Sequence, residues 1–330
     1  TLLSGTLSGM VTGTAMGQNN TNGNIYISNE SVSSYITVEN AASLTASENA
    51  QPPSSASTGQ HITVFLTVTN TGTANCNNTT AGISVIGVSG TNTITAISLL
   101  SGPGSSVTVP GGNNSHTFTW TYSAAGTGTV YFSCFATGYD ENSNNTINAI
   151  AAPGSNLVLQ TPANLASDIV APSSVSMNQV FTVLMRVTNT GGATANNVIP
   201  SLSLSGGGTV LSLSGPSPSY FTLAGNQTAD FTWTYSATGA GIINFSGYAS
   251  GIDANTGLNK QSGSKNLNTI IQTRPSLTAS LSAYPAQVSV GQTITLIMSV
   301  TNSGEALAHS VSPTPQLLGE SVTGLVLNTG

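Results

Sequence analysis

The strongest constraint on what this chain can fold into is a repeat with a domain-sized period. Val68-Thr69-Asn70-Thr71-Gly72 returns as Val187-Thr188-Asn189-Thr190-Gly191 and again as Val300-Thr301-Asn302-Ser303-Gly304, with 119 and then 113 residues between copies. Phe118-Thr119-Trp120-Thr121-Tyr122-Ser123-Ala124 returns as Phe231-Thr232-Trp233-Thr234-Tyr235-Ser236-Ala237, again 113 residues on. A period of this size is too long for a solenoid unit and marks an array of whole domains. A third marker, Cys134-Phe135-Ala136-Thr137-Gly138, matches Gly247-Tyr248-Ala249-Ser250-Gly251 and Gly13-Thr14-Ala15-Met16-Gly17. Thr1 therefore falls late in one repeat and Gly330 early in another. The expected organisation is a late half-repeat over residues 1–40, complete domains over 41–160 and 161–272, and an early half-repeat over 273–330.

Strand patterns fill these repeats. Ile62, Val64, Leu66 and Val68 alternate with polar residues, as do Phe181, Val183, Met185 and Val187, then Ile294, Leu296, Met298 and Val300. Period-two alternation over eight residues marks a half-buried strand, and the Asn-Thr-Gly that follows supplies a turn. Phe118, Trp120 and Tyr122 share one face of a later strand, with threonines on the other. Trp120 and Trp233 are thus expected to be core aromatics. Val130, Phe132, Cys134 and Ala136 form a further alternating strand, copied as Ile243, Phe245, Gly247 and Ala249. No window carries helical periodicity with caps. Short strands with frequent turn signals predict an all-β fold of tandem β-sandwiches, two complete and two partial. Proline-containing linkers are expected near residues 42–58, 161–174 and 273–286, with Leu44, Leu165 and Leu277 anchoring a first strand in each.

Composition narrows function more than fold. The chain is 38% hydrophobic but only 4% charged, against roughly 25% in an average soluble protein. Arg186, Lys260, Lys265 and Arg274 are its only basic residues, and the net charge is −6. Nucleic-acid binding needs clustered cations to displace counterions from phosphates, so nucleic acid is excluded as a partner. No run of 18 apolar residues is present, so no membrane span is expected. The sequence does not begin with Met; either processing has removed the start or this is a piece of something longer.

The pattern Gly59-Gln60, Asn178-Gln179 and Gly291-Gln292, each followed by the alternating strand and the Asn-x-Gly turn, resembles the immunoglobulin-like, cell-adhesion-related repeats of prokaryotic surface proteins, the CARDB type. The resemblance spans nearly the whole chain, counting the partial copies. It implies immunoglobulin-like sandwiches, surface display and adhesion, and no particular ligand. The antibody pattern of cysteines and tryptophan is not followed.

Few residues carry chemistry. His61, His116 and His309 fall at non-equivalent positions, and no zinc-protease, phosphate-loop or nucleophile-elbow motif occurs. No enzyme, cofactor or metal is expected. The loop Asp140-Glu141-Asn142-Ser143-Asn144 spaces its oxygens like the start of a calcium loop, but the distal Glu is replaced by Ala151; a hairpin turn accounts for it equally well. Cys76 and Cys134 fall in one repeat, and both are absent from the other copies. Joint presence and absence is what a bonded pair predicts, with two free buried thiols as the alternative; a disulfide would imply an oxidising compartment. Of eight Asn-x-Ser/Thr sequons, Asn77, Asn78, Asn113, Asn144 and Asn226 fall where turns are expected and are the candidate glycosylation sites.

These readings converge on a glycoprotein at the extracellular cell surface: a structural subunit of a pilus-like filament of stiff sandwiches in series. The late strands in residues 1–40, with Val11, Gly13 and Ala15 on the core pattern, complement the early strands after residue 273, with Ile294, Leu296 and Met298. The expected partner is a second copy of the chain, joined head to tail by donor-strand complementation, which builds an open fibre. Host or cell surfaces are possible further partners. About 20 residues of a repeat, the tryptophan-bearing strand included, have no equivalent in the joined halves. The alternatives are an adhesin or carbohydrate-binding array, or an accessory region of a larger secreted protein.

Overall fold

The computed structural model describes residues 7–18, 20–21, 24–88 and 97–314, and among them every regular element is a strand. The chain divides into two compact units. The first comprises Thr1–Ala163 with the turns Gly191–Thr194 and Asp253–Leu258; the second comprises Asn164–Thr190, Ala195–Ile252 and Asn259–Gly330.

The first unit opens with a hairpin in three ladder segments: β1 (Leu7–Gly9) pairs with β6 (Ile36–Val38), β2 (Thr12–Gly13) with β5 (Ser31–Val32), and β3 (Met16–Gln18) with β4 (Ile25–Ile27). A sandwich follows. Its strands are β7 (Leu44–Gln51), β8 (Ser55–Ser57), β9 (His61–Asn70), β10 (Cys76–Gly87), β11 (Ile97–Ser101), β12 (Val107–Val109), β13 (Asn114–Ala124), β14 (Gly128–Asp140), β15 (Thr146–Ile150) and β16 (Leu157–Gln160). One sheet has the order β11-β13-β9-β7; the other runs β12-β10-β14-β16-β8, with β15 also paired to β14. This division, with first, second and fifth long strands in one sheet and third, sixth and last in the other, is the immunoglobulin arrangement.

The alternation in the sequence dictates which face closes. Ile62, Val64, Leu66 and Val68 of β9 are fully buried and join Phe118, Trp120, Phe132 and Leu157 in one core. Each such side chain contributes roughly 1.5–3 kcal/mol on burial. The outward threonines pair instead with one another: Thr67 with Thr117 at 3.1 Å, and Thr69 with Ser115 at 2.7 Å. Hydroxyl ladders of this kind occupy the place that ion pairs hold in charge-rich sheets.

The second unit repeats the plan with β17 (Leu165–Val170), β18 (Ser174–Ser176), β19 (Val180–Asn189), β20 (Ala195–Gly206), β21 (Thr209–Ser217), β22 (Phe221–Leu223), β23 (Thr228–Gly239), β24 (Gly241–Asp253), β25 (Asn259–Gln261) and β26 (Lys265–Gln272). Its sheets are β17-β19-β23-β21 and β18-β26-β24-β20-β22, with β25 on β24. Beyond these, its described residues form one antiparallel pair, β27 (Leu277–Tyr284) with β28 (Thr295–Asn302). The segments expected as linkers therefore contain the first strands β7, β17 and β27.

Backbone geometry explains the repeat signatures. Gly59, Asn178 and Gly291 have φ of 87°, 67° and 91°, a region that favours Gly and tolerates Asn. The Gln that follows reaches back, its Oε1 accepting from Ser57, Ser176 and Ser289 N–H at 3.0, 2.9 and 2.8 Å. In Val-Thr-Asn-Thr-Gly the Asn is a clamp. Asn70 is fully buried; its Oδ1 accepts from Ser43 and Gly72 N–H, and its Nδ2 donates to the Ala74 and Val109 carbonyls. Gly72 has no alternative, because a Cβ there would overlap the Ala41 carbonyl oxygen; Gly304 stands in the same relation to Arg274.

Candidate functional site

The two uncovered strand pairs are the places where this chain departs from its own rule. Leu277 faces Asn302 in the register that sets Leu44 against Asn70 and Leu165 against Asn189. Asn302 makes the same local clamp, accepting from Ser276 and Gly304 N–H and donating to the Ala306 carbonyl. The β27–β28 pair is thus built as the opening of a sandwich. Its inner face is open: Leu296 is 43% exposed and Val300 42%, where Val64, Val68, Val183 and Val187 are fully buried. Ile294 and Met298 are half-buried.

The hairpin of residues 7–38 has the complementary character. Its second strand carries Ile36 and Val38 at the positions of Leu157 and Leu159 in β16 and of Thr269 and Ile271 in β26. Those four are buried, whereas Ile36 and Val38 are 51% and 59% exposed. Val11, Gly13 and Ala15, expected on a core pattern, are likewise exposed, as are the equivalents of no complete sandwich. Among the described residues nothing buries either face.

The expected Cys76–Cys134 disulfide is not formed; both cysteines are free and buried. The reason is register. Both lie on neighbouring strands of one sheet, but Cys134 faces Ile83 while Cys76 faces Asp140. Asp140 lies six positions along β14 from Cys134, which at about 3.3 Å per residue places the two cysteines roughly 20 Å apart, far outside disulfide reach. Burial, and then the nearby Glu48, push the Cys134 thiol up to about 12. Burial also raises Cys76. Neither is a thiolate at neutral pH.

Trp120 and Trp233 occupy equivalent core sites, 4% and 6% exposed, opposite Val64 and Val183 on the neighbouring strand. Among the sequons, Asn78, Asn113, Asn144 and Asn226 are exposed and have φ of 49°, 67°, 58° and 63°. At Asn113, Asn144 and Asn226 this backbone marks tight turns; Asn78, expected in a turn, lies instead within β10, where the pairing with β14 shifts register. Asn77 is half-buried within β10.

The Asp140 loop is a clamp built from hydrogen bonds. Asp140 Oδ2 accepts from Ala42 N–H at 2.7 Å, and Oδ1 from the N–H of Asn142 and Ser143 and from Ser143 Oγ. The bond from Ala42 above all, joined by those from Ser143 and Asn142, holds this carboxyl below the usual carboxylate range against the opposing effect of burial. Asp253 repeats the arrangement with Ala163, Asn255 and Thr256. There burial pushes upward, but the bonds together outweigh it and the net shift is downward. Among the described residues no three His, Cys, Asp or Glu gather to hold a metal.

One inward charge was not foreseen. Glu48 lies on the inner face of β7, where Ile169 and Leu281 stand in the other copies. Its Oε1 is buried with no hydrogen-bond partner, and burial raises its carboxyl above the ordinary value. Aligning the repeats would have found it.

Comparison with known proteins places residues 41–150, the first sandwich, as a match to the CARDB family model. The curated proteins contain no match. Among solved structures, red sea bream transglutaminase is 13% identical at a TM-score of 0.23, covering 69% of this chain and 31% of its own. The alpha-2-macroglobulin of Escherichia coli in its native conformation is 10% identical at 0.29, covering 77% of this chain and 18% of its own. The C-terminal domain of the Streptococcus pyogenes antigen I/II-family protein AspA is 8% identical at 0.25, covering 69% and 99%. The chain spans less than a third of the length of the first two. At such scores the likeness carries nothing about activity or partner. The chain is thus an all-β array of immunoglobulin-like sandwiches with a CARDB-type module at residues 41–150. No helix among the described residues is long and apolar enough to cross a membrane.

Proposed function

We propose that residues 1–330 act as a structural subunit of an extracellular filament, assembled head to tail by strand complementation. The role is mechanical, without catalysis or cofactor. The observation that carries this reading is the open inner face of β27–β28, whose two complete counterparts are closed by late strands of the same kind as those in the 7–38 hairpin. An open apolar face with unpaired edges is a liability unless something covers it. The charge-poor composition and the CARDB-type module support display outside the cell.

The test is the assembly state of the chain and of two full-length variants. The chain should form fibres visible by negative-stain microscopy. Val11→Asp in the hairpin and Leu296→Asp in the terminal pair should each leave monomers by light scattering. An equimolar mixture of the two should give dimers and nothing longer, because one intact hairpin and one intact acceptor remain. A chain that stays monomeric at high concentration overturns the proposal and favours a module of a longer secreted protein.

A further inference from the structure

The complete sandwiches also specify how such a joint would fit. In each, the short second strand pairs in parallel with the last strand: Ala56 lies opposite Leu159, and Val175 opposite Ile271. All four are buried. By the repeat, the corresponding residues of the uncovered pairs are Val288 and Val38, 40% and 59% exposed.

Two relations between the uncovered pairs point to the same fit. The first is volume. A Cβ on Gly247 would come within 2.5 Å of Met185 Cε, so Met185 fills the space that a side chain at 247 would need. The first sandwich has the shorter Leu66 at the place of Met185, and it carries Cys134 at the place of Gly247. In the uncovered pairs these two positions are Met298 and Gly13, again a long side chain with none opposite. The second is hydrogen bonding. Ala42 and Ala163 donate their N–H groups to the buried Asp140 and Asp253. The position of those alanines in the third copy is Pro275, which has no N–H to give. The position of the aspartates in the hairpin is Asn19, whose structure lies outside the described residues. In the complete copies Asp stands with Ala, and at the two ends Asn stands with Pro, so the charged acceptor and its N–H donor are lost together. Residues at the two ends of the chain thus vary together as partners inside one sandwich do.

We infer that β27–β28 and the short segment between them receive the 7–38 hairpin of a second copy in one register, with Thr37 beside Gln287, Val38 beside Val288 and Met298 over Gly13. This rests on the head-to-tail reading above. The occupant is a second copy because the hairpin leads through residues 40–43 into β7, as β16 leads through 161–164 into β17. A joint between copies therefore repeats a connection already made inside the chain.

The test is a full-length Thr37→Cys/Gln287→Cys chain, oxidised with copper phenanthroline and run on a non-reducing gel. Neighbouring strands put paired Cα atoms about 4.8 Å apart, within disulfide range. The expected result is a ladder of covalent multimers that reductant collapses. Thr37→Cys/Ser289→Cys, displaced by two residues, should cross-link about tenfold less, because its Cα atoms would lie beyond about 7 Å. The parent chain, whose own thiols are buried, should not cross-link. Fibres without a ladder, or equal ladders from both pairs, overturn the register while leaving head-to-tail assembly standing. A cross-linked monomer of altered mobility overturns the second copy as occupant. Absence of any assembly overturns both.

Discussion

Replacing Asn70 by Ala should destabilise the first sandwich far more than its place in an Asn-Thr-Gly turn would suggest. The side chain is fully buried and makes four hydrogen bonds, two accepted and two donated. Truncation leaves two N–H and two C=O groups without partners, each costing about 1–3 kcal/mol when water cannot replace the bond. The vacated volume admits a water that restores part of this. The expected net loss is about 3–5 kcal/mol, a large share of a typical domain's 5–15 kcal/mol. The assay is urea unfolding followed by Trp120 fluorescence in a Trp233→Phe background, so that the remaining indole reports on the first sandwich. With a slope of about 1.5 kcal/mol/M, the midpoint should fall by about 2–3 M. Asn302→Ala, in the open pair, should leave this transition in place. A midpoint shift below about 0.5 M for Asn70→Ala would mean an ordinary surface turn residue and would refute the clamp.

Other outcomes follow from the same structure. Glu48→Ile should stabilise the first sandwich by about 1–3 kcal/mol, because an unpartnered carboxyl gives way to the residue type found at that place in the second copy; thermal denaturation checks it, and a loss of stability would count against it. Asp140 has a lowered folded pKa, so its contribution is intact above the ordinary Asp value and is lost as pH falls through the folded one. Acid titration of the intact chain should therefore weaken the first sandwich below about pH 4, and Asp140→Asn should flatten that limb. Glu48 has the opposite sign: its raised pKa favours the fold at low pH, and that contribution disappears as pH rises from the ordinary Glu value through the folded one. Thiol titration without reductant should find none reactive in the native chain and two after denaturation; none after denaturation would restore the disulfide. Trp120→Ala and Trp233→Ala should each cost roughly 3–5 kcal/mol, each in its own sandwich by calorimetry.

What could be read from the sequence was whatever repeats along it or alternates within it. The inner faces of β9 and β19 and the buried Trp120 and Trp233 follow from period-two patterns copied 113 or 119 residues apart. What could not be read was distance inside a sheet. Cys76 and Cys134 share a repeat, but sharing a repeat says nothing of register, and the register of β10 on β14 keeps them far apart. Asp140 looked like part of a self-contained loop because its decisive partner, Ala42 N–H, lies 98 residues away. The Asn of the turn signature announced a reversal of the chain and concealed a buried clamp, since both uses favour the same residue.

The parallel pairing of the second strand with the last has a mechanical meaning. In each complete sandwich the chain runs from its first strand, β7 or β17, into β8 or β18, and leaves through β16 or β26. Because these neighbours run in the same direction, tension on the chain pulls them past one another lengthwise. The bonds between them, such as Thr58 N–H to the Gln160 carbonyl at 2.8 Å and Ile270 N–H to the Ser173 carbonyl at 3.0 Å, are then loaded in shear and must give way together. An antiparallel hairpin pulled from its open end unzips one bond at a time. Each sandwich thus resists stretching where its second and last strands meet, and a joint made by Gln287–Ser289 with a neighbour's Thr37–Glu39 would carry load in the same way.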